Sequence, residues 1–134
     1  MIRTGAQYRD GLRGGREVWI EGERVKDVTA HPAFKPIVDI RARMYDMAHE
    51  REHADRLTYK LGNEAFATFY KPPTAQEDWW DKWRAVDAVM QDIHGVVTRV
   101  GDETVGEMWS LADGKSVLNE IDPRFALNID RHIK

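Results

Sequence analysis

Two histidines four positions apart, with a glutamate directly after the first, are the sharpest chemical pattern in the chain: His49-Glu50-Arg51-Glu52-His53. On a helix this spacing puts both imidazoles on one face, where they can bind zinc while the glutamate activates a water for hydrolysis. Such a centre also needs a third protein ligand and a dry wall around the metal. Here the segment runs on as Ala54-Asp55-Arg56, so charge surrounds both imidazoles, and Glu64, eleven positions after His53, falls on a predicted hairpin. A charged helix end with surface histidines explains the pattern better, and no metal is expected; a small zinc hydrolase is kept as the alternative. A second group is aromatic: Trp79, Trp80 and Trp83, with Trp109 beyond, offer flat faces for stacking on a ligand ring. At helical spacing such residues more often fill a core, and packing is the expected role. Trp79 and Trp80 are neighbours and cannot both face one core, so at least one must cover another surface. The third group, Thr98-Arg99-Val100-Gly101-Asp102-Glu103, sets a cation beside two carboxylates, and an exposed arginine paired with Asp102 or Glu103 is its plainest reading.

The elements that must position these groups are mostly helical. Thr4 can cap a short helix presenting Tyr8 and Leu12, which Gly14-Gly15 stops. Val18-Trp19-Ile20 and Arg24-Val25 flank Glu21-Gly22-Glu23 as a short hairpin. From Ala33, after His31-Pro32, the apolar residues Ile37, Ile40, Met44 and Met47 recur at helical spacing to about His49, with Pro36 tolerated in the first turn. Segments 57–61 and 65–70 around Gly62-Asn63-Glu64 form a second hairpin. Thr74-Ala75-Gln76-Glu77 reads as a capping box opening the longest helix, which carries the tryptophans, Val86, Met90 and Ile93 and ends at Gly95. After a loop at 98–102 come a helix over 105–111, a turn at Asp113-Gly114, and helical pieces 117–121 and 125–133 broken at Asp122-Pro123.

Composition narrows the function classes. Twenty basic residues against twenty-three acidic ones leave a net charge of −3, which disfavours duplex nucleic acid as a partner. Cysteine is absent, so thiolate nucleophiles, disulfides and cysteine-ligated metal centres are excluded within the chain. The amino terminus is rich in arginine and has no apolar stretch, and no run reaches the ~20 apolar residues a membrane helix needs. A soluble, cytoplasmic protein of one domain is expected over residues 1–134.

Residues Met1 to Tyr8, Gly15-Arg16-Glu17-Val18-Trp19, Gly22-Glu23-Arg24-Val25 and Asp27 to Pro32 together resemble the amino-terminal signature of the 4-hydroxyphenylacetate 3-hydroxylase family. The likeness returns at Trp83-Arg84-Ala85-Val86-Asp87 and at Asp122-Pro123-Arg124-Phe125 through Ile133, so it spans nearly the whole chain. It implies an acyl-CoA dehydrogenase-like amino-terminal helical domain with two small β-hairpins, mainly α. It also implies a larger enzyme whose middle β-barrel and carboxy-terminal helical bundle lie outside this sequence. Tyr45-Asp46-Met47-Ala48-His49 is similar to a Tyr-Asp-Leu stretch that the family carries without metal.

The resemblance implies the chemistry: a flavin-dependent aromatic monooxygenase in which a separate flavin reductase supplies reduced FAD and a phenol is hydroxylated ortho to its hydroxyl. At the loop after the long helix the family carries Gly-Arg-x-Pro-Asp-Tyr. Arg99 and Asp102 match it, whereas Thr98, Gly101 and Glu103 stand in place of its glycine, proline and tyrosine. Arg99 is thereby the implied catalytic, flavin-binding and substrate-binding residue, and Glu103 occupies the second substrate-binding position. An ionised carboxylate cannot donate to a phenol as tyrosine does, so Glu103 implies a changed substrate contact. A related branch resembling 4-hydroxybutyryl-CoA dehydratase holds an iron–sulfur cluster, which a chain without thiolates cannot ligate. The implied partners are a small aromatic substrate, the flavin reductase, the remaining domains of the same enzyme and further copies of it. The piece alone is expected to be inactive. A non-enzymatic module docking partners through its tryptophans is a further alternative.

Overall fold

The computed structural model describes residues 2–96 and 102–133, apart from the side chains of Asp102 and Glu103. Helix α1 (Gly5–Leu12) opens on a reciprocal capping box, in which Gln7 N–H donates to Thr4 Oγ1 at 3.2 Å and Thr4 N–H to Gln7 Oε1 at 2.9 Å. Strands β1 (Val18–Ile20) and β2 (Glu23–Val25) pair antiparallel, Val18 opposite Val25. Both turn residues, Glu21 (φ 51°) and Gly22 (φ 82°), are left-handed, which matches the twist of the strands they join.

Helix α2 (Lys35–Met47) begins two residues later than the apolar spacing suggests, because His31 to Phe34 form a turn whose carbonyl at His31 accepts from both Phe34 and Lys35 N–H. It ends at Met47, short of the expected His49. It is buried on two sides: Val38 and Ala42 lie on its α1-facing side, and Met47 enters the core with Ile40 and Met44 packed alongside.

Helix α3 (Ala54–Leu57) takes Leu57 from the expected hairpin into the core, and strands β3 (Thr58–Leu61) and β4 (Glu64–Ala67) form the hairpin itself. Residues 68–70, expected as strand, form a 3-10 turn.

Helix α4 (Gln76–Asp92) is capped one residue later than the sequence suggests, by Asp78 rather than Glu77. Asp78 Oδ2 accepts from Thr74 N–H and Ala75 N–H, both at 2.8 Å, and from Thr74 Oγ1 at 3.0 Å. Met47, Leu57, Ala85, Val89 and Ile93 form the central cluster. Helices α5 (Asp102–Asp113), α6 (Lys115–Ile121) and α7 (Pro123–Ile133) complete the chain, with α5 resting on the 3-10 turn and α7 closing over α5 and α6. The mainly helical architecture with two small hairpins is the one expected.

The packing role expected for Trp79, Trp80 and Trp83 is overturned, while Trp109 is half-buried. Trp79, Trp80 and Trp83 are 56%, 49% and 59% exposed. The buried stripe of α4 is instead Asp78, Lys82, Ala85 and Val89, displaced by one residue from Trp79 and Trp83 and so turned about 100° around the helix. Alanines at 85 and 88 let α4 approach Met47 and Leu57 closely; indoles at those positions would hold the helices apart.

Candidate functional site

The loop carrying Arg99 lies outside the described residues, and Glu103 is placed only as a backbone position in the first turn of α5. What the structure does describe is the frame on either side of that loop. Where α4 ends, His94 (φ 54°) and Gly95 (φ 68°) are left-handed, and Gly95 N–H donates to the Met90 carbonyl at 2.9 Å, closing the helix.

The last turn of α4 is tied to α2 by Arg43. Its Nε donates to Asp92 Oδ1 at 2.9 Å and its Nη2 to Asp92 Oδ2 at 2.6 Å. The same guanidinium reaches Glu50, Nη2 to Oε2 at 3.0 Å and Nη1 to Oε1. Hydrogen bonds from Arg43 hold the Asp92 and Glu50 carboxyls below the usual carboxylate range, and Asp92 and Glu50 in turn raise the arginine. An anion at a helix carboxy terminus opposes the helix dipole, so this cation also offsets an unfavourable placement of Asp92. No pattern in the sequence links Arg43 to Asp92, forty-nine positions apart.

At the other end of α4, Lys71 Nζ sits 2.8 Å from Asp78 Oδ1 and 2.9 Å from Asp81 Oδ2. These carboxylates raise Lys71 to about 12, and Lys71 together with the Ala75 and Thr74 donors holds Asp78 well below its ordinary value. Lys82 lies under the Trp79 ring, its Nζ 5.5 Å from the centroid, and Trp80 meets Trp83 edge to face at 6.1 Å. On α5 the Trp109 Nε1–H is buried and has no acceptor among the described residues.

The zinc pattern receives no support from this geometry. Residues 48–53 are turns, with His53 N–H donating to the Glu50 carbonyl, so the two imidazoles do not share a helix face. His49 Nε2 contacts the Arg3 carbonyl at 3.2 Å, and Glu50 is occupied by Arg43. Among the described residues no set of three histidine or carboxylate side chains is arranged to hold a metal.

For the flavin that the resemblance implies, Trp109 Nε1–H is the one buried side-chain donor among the described residues left without a partner that would suit a flavin oxygen, and enclosure of the ring would require further polypeptide. No helix among the described residues is long and apolar enough to cross a membrane.

Comparison with known proteins agrees over the whole described frame. Residues 4–134 match the family model described as 4-hydroxyphenylacetate 3-hydroxylase N terminal. The oxygenase component of 4-nitrophenol 2-monooxygenase from Rhodococcus sp. is 38% identical over 102 residues, covering 74% of this chain and 20% of that protein. The oxygenase component of 4-hydroxyphenylacetate 3-monooxygenase from Geobacillus sp. (strain PA-9) is 30% identical over 135 residues, covering 94% and 26%. A crystal structure of such an oxygenase component complexed with FAD superposes with a TM-score of 0.85 at 27% identity, covering 98% of this chain and 27% of that one. The chain thus spans about a quarter of the length of the relatives it matches.

Proposed function

The chain belongs to the 4-hydroxyphenylacetate 3-hydroxylase family, and from that premise we propose that it forms the amino-terminal domain of the oxygenase component of a two-component aromatic monooxygenase. The match over residues 4–134 carries this reading. The substrate is a small phenol, hydroxylated ortho to its hydroxyl, in the cytoplasm. Reduced FAD, delivered by a separate flavin reductase, supplies the electrons that activate oxygen.

This chain's own contribution is electrostatic and steric. Arg99 supplies a fixed cation that stabilises negative charge on the phenol oxygen and orients the ring. Glu103, an acceptor where the family has a donor, takes a hydrogen bond from the substrate hydroxyl instead of giving one. Arg43 and the Gly95 cap hold the end of α4, from which the Arg99 loop departs. The exposed faces of Trp79, Trp80 and Trp83 meet the polypeptide that completes the cleft and the oligomer.

The test is a chimera in which residues 4–134 replace the matching quarter of the Geobacillus oxygenase component, assayed with a flavin reductase for catechol formation and oxygen uptake. The chimera should hydroxylate 4-hydroxyphenylacetate or 4-nitrophenol. Arg99→Ala should cut product about a hundredfold while oxygen is still consumed. Unchanged coupling in Arg99→Ala removes that residue from the proposal, and a folded, FAD-binding chimera without product on any phenol removes the reading of the domain.

A further inference from the structure

A groove of about 760 Å³ opens between α1, the first hairpin and α2. Its walls come largely from the amino-terminal stretch that carries the family signature, yet the hydroxylation chemistry above makes no use of it. The floor is apolar, with Leu12, Val18, Val25, Val28, Phe34 and Ile37. Four cations, Arg13, Arg16, Arg24 and Lys26, line it against one carboxylate, Asp27, in a chain whose overall charge is negative.

Two of those cations are committed. Arg13 Nη1 lies 2.7 Å from Asp10 Oδ1 and its Nη2 donates to Thr29 Oγ1 at 3.1 Å, while Arg24 Nη2 lies 3.3 Å from Glu17 Oε1. Among the described residues Arg16 and Lys26 have no carboxylate partner. Arg16 lines the groove together with Tyr8, Leu12 and Val18. Two uncommitted cations over an apolar floor are complementary to a molecule with an apolar body and an anionic end. The volume lies within the range of ligand clefts, roughly 300–1,000 Å³.

We propose that this groove binds a small amphipathic organic anion, an aryl or alkyl chain ending in one carboxylate, with its body on the Val25–Phe34–Ile37 floor and its carboxylate held by Arg16 and Lys26. The floor excludes water from one side of the ion pair and strengthens it relative to an exposed pair. Every residue named in the proposal lies in this chain, and the proposal does not depend on the monooxygenase reading.

Nitrogen-15 NMR titration of the 134-residue protein with 4-phenylbutyrate, and with 4-phenylbutan-1-ol as its neutral counterpart, tests it. Saturable shifts at the Val25, Val28 and Phe34 amides are expected, with the alcohol about tenfold weaker. The double variant Arg16→Gln/Lys26→Gln should lose about tenfold for the anion and nothing for the alcohol. Ile37→Glu, at a half-exposed floor position, should abolish both while leaving the remaining spectrum in place. Equal affinity for acid and alcohol, shifts centred on Met108 to His132 instead, or no saturation up to about 10 mM would each overturn it.

Discussion

Gly5→Ala sets two forces of opposite sign against each other at the first residue of α1. Helix propensity alone favours alanine over glycine by up to about 1 kcal/mol. Packing opposes it, because a Cβ at position 5 would stand 2.6 Å from the Ala42 carbonyl oxygen and 2.9 Å from Asp46 Cγ, with the Asp46 carboxylate also in the way. The Asp46 side chain can rotate, but the Ala42 oxygen belongs to the α2 backbone and cannot. Helix α1 must therefore move outward, which stretches the 2.7 Å hydrogen bond from Gly5 N–H to Asp46 Oδ1 and loosens the Tyr8–Tyr45 stack, now 5.0 Å between centroids. Overpacking of this kind costs about 1–3 kcal/mol, and a weakened bond to a charged acceptor about 1–2 kcal/mol more. Set against the propensity gain, the net loss is about 2 kcal/mol, or roughly 5–10 °C in Tm for a chain of this size. Urea and thermal unfolding followed by far-ultraviolet circular dichroism measure it. In an Asp46→Ala background the same substitution should cost less, since one obstacle is gone. A Tm that is unchanged or raised in Gly5→Ala would show that propensity rules here and that the close α1–α2 approach is wrong.

Arg43→Ala leaves Asp92 and Glu50 facing each other without their cation; with Arg43 36% exposed, the loss should be roughly 1–2 kcal/mol in urea rather than the larger cost of a fully buried pair. Arg43→Lys should recover less than half of it, because an ammonium cannot bind two carboxylates through parallel N–H pairs. Leu57→Ala, at a site 2% exposed, should cost about 2–5 kcal/mol, whereas Trp83→Gln should stay within about 0.5 kcal/mol; comparable losses would return the tryptophans to the core. For pH, hydrogen bonds from Lys71, Arg43 and Lys35 hold the Asp78, Asp92 and Asp39 carboxyls below their ordinary values. A carboxyl depressed in the folded state stabilises fully above its unfolded pKa and ceases to as pH falls through the folded one, while Lys71, raised to about 12, stabilises fully below its unfolded value and loses this on passing about 12. The urea midpoint should thus be level from about pH 5 to 10 and drop below about pH 4, and a midpoint rising on acidification would refute the assignment.

Signals in the chain are legible where the chemistry is local. Thr4, Gly22, Gly62 and Gly95 mark caps and turns because their geometry depends on neighbours a few positions away. Asp78 was missed by one position because Glu77 and Asp78 both satisfy an acidic-residue rule, and only the arrival of Lys71 beside Asp78 separates them. The tryptophans misled for a related reason. The stripes through Trp79 and Trp83 and through Lys82, Ala85 and Val89 both have helical period, and hydrophobicity ranks indole above lysine. Burial went instead to the stripe whose small residues permit close helix contact and whose polar members have partners.

The functional reading travelled a different route from the fold. Arg99 is one of twenty basic residues, and neither periodicity nor spacing distinguishes it; the role proposed for it rests on the motif resemblance, not on local physics. What the structure describes is the frame on either side of residues 97–101. On the amino-terminal side, the Asp92 carboxylate at the end of α4 would be unfavourable alone and is held by Arg43 from α2. On the other side, α5 rests on the 3-10 turn after β4. On the proposed reading, Arg43→Ala in the full enzyme should lower product formation without touching substrate, the result that separates a positioning contact from a surplus of surface charge.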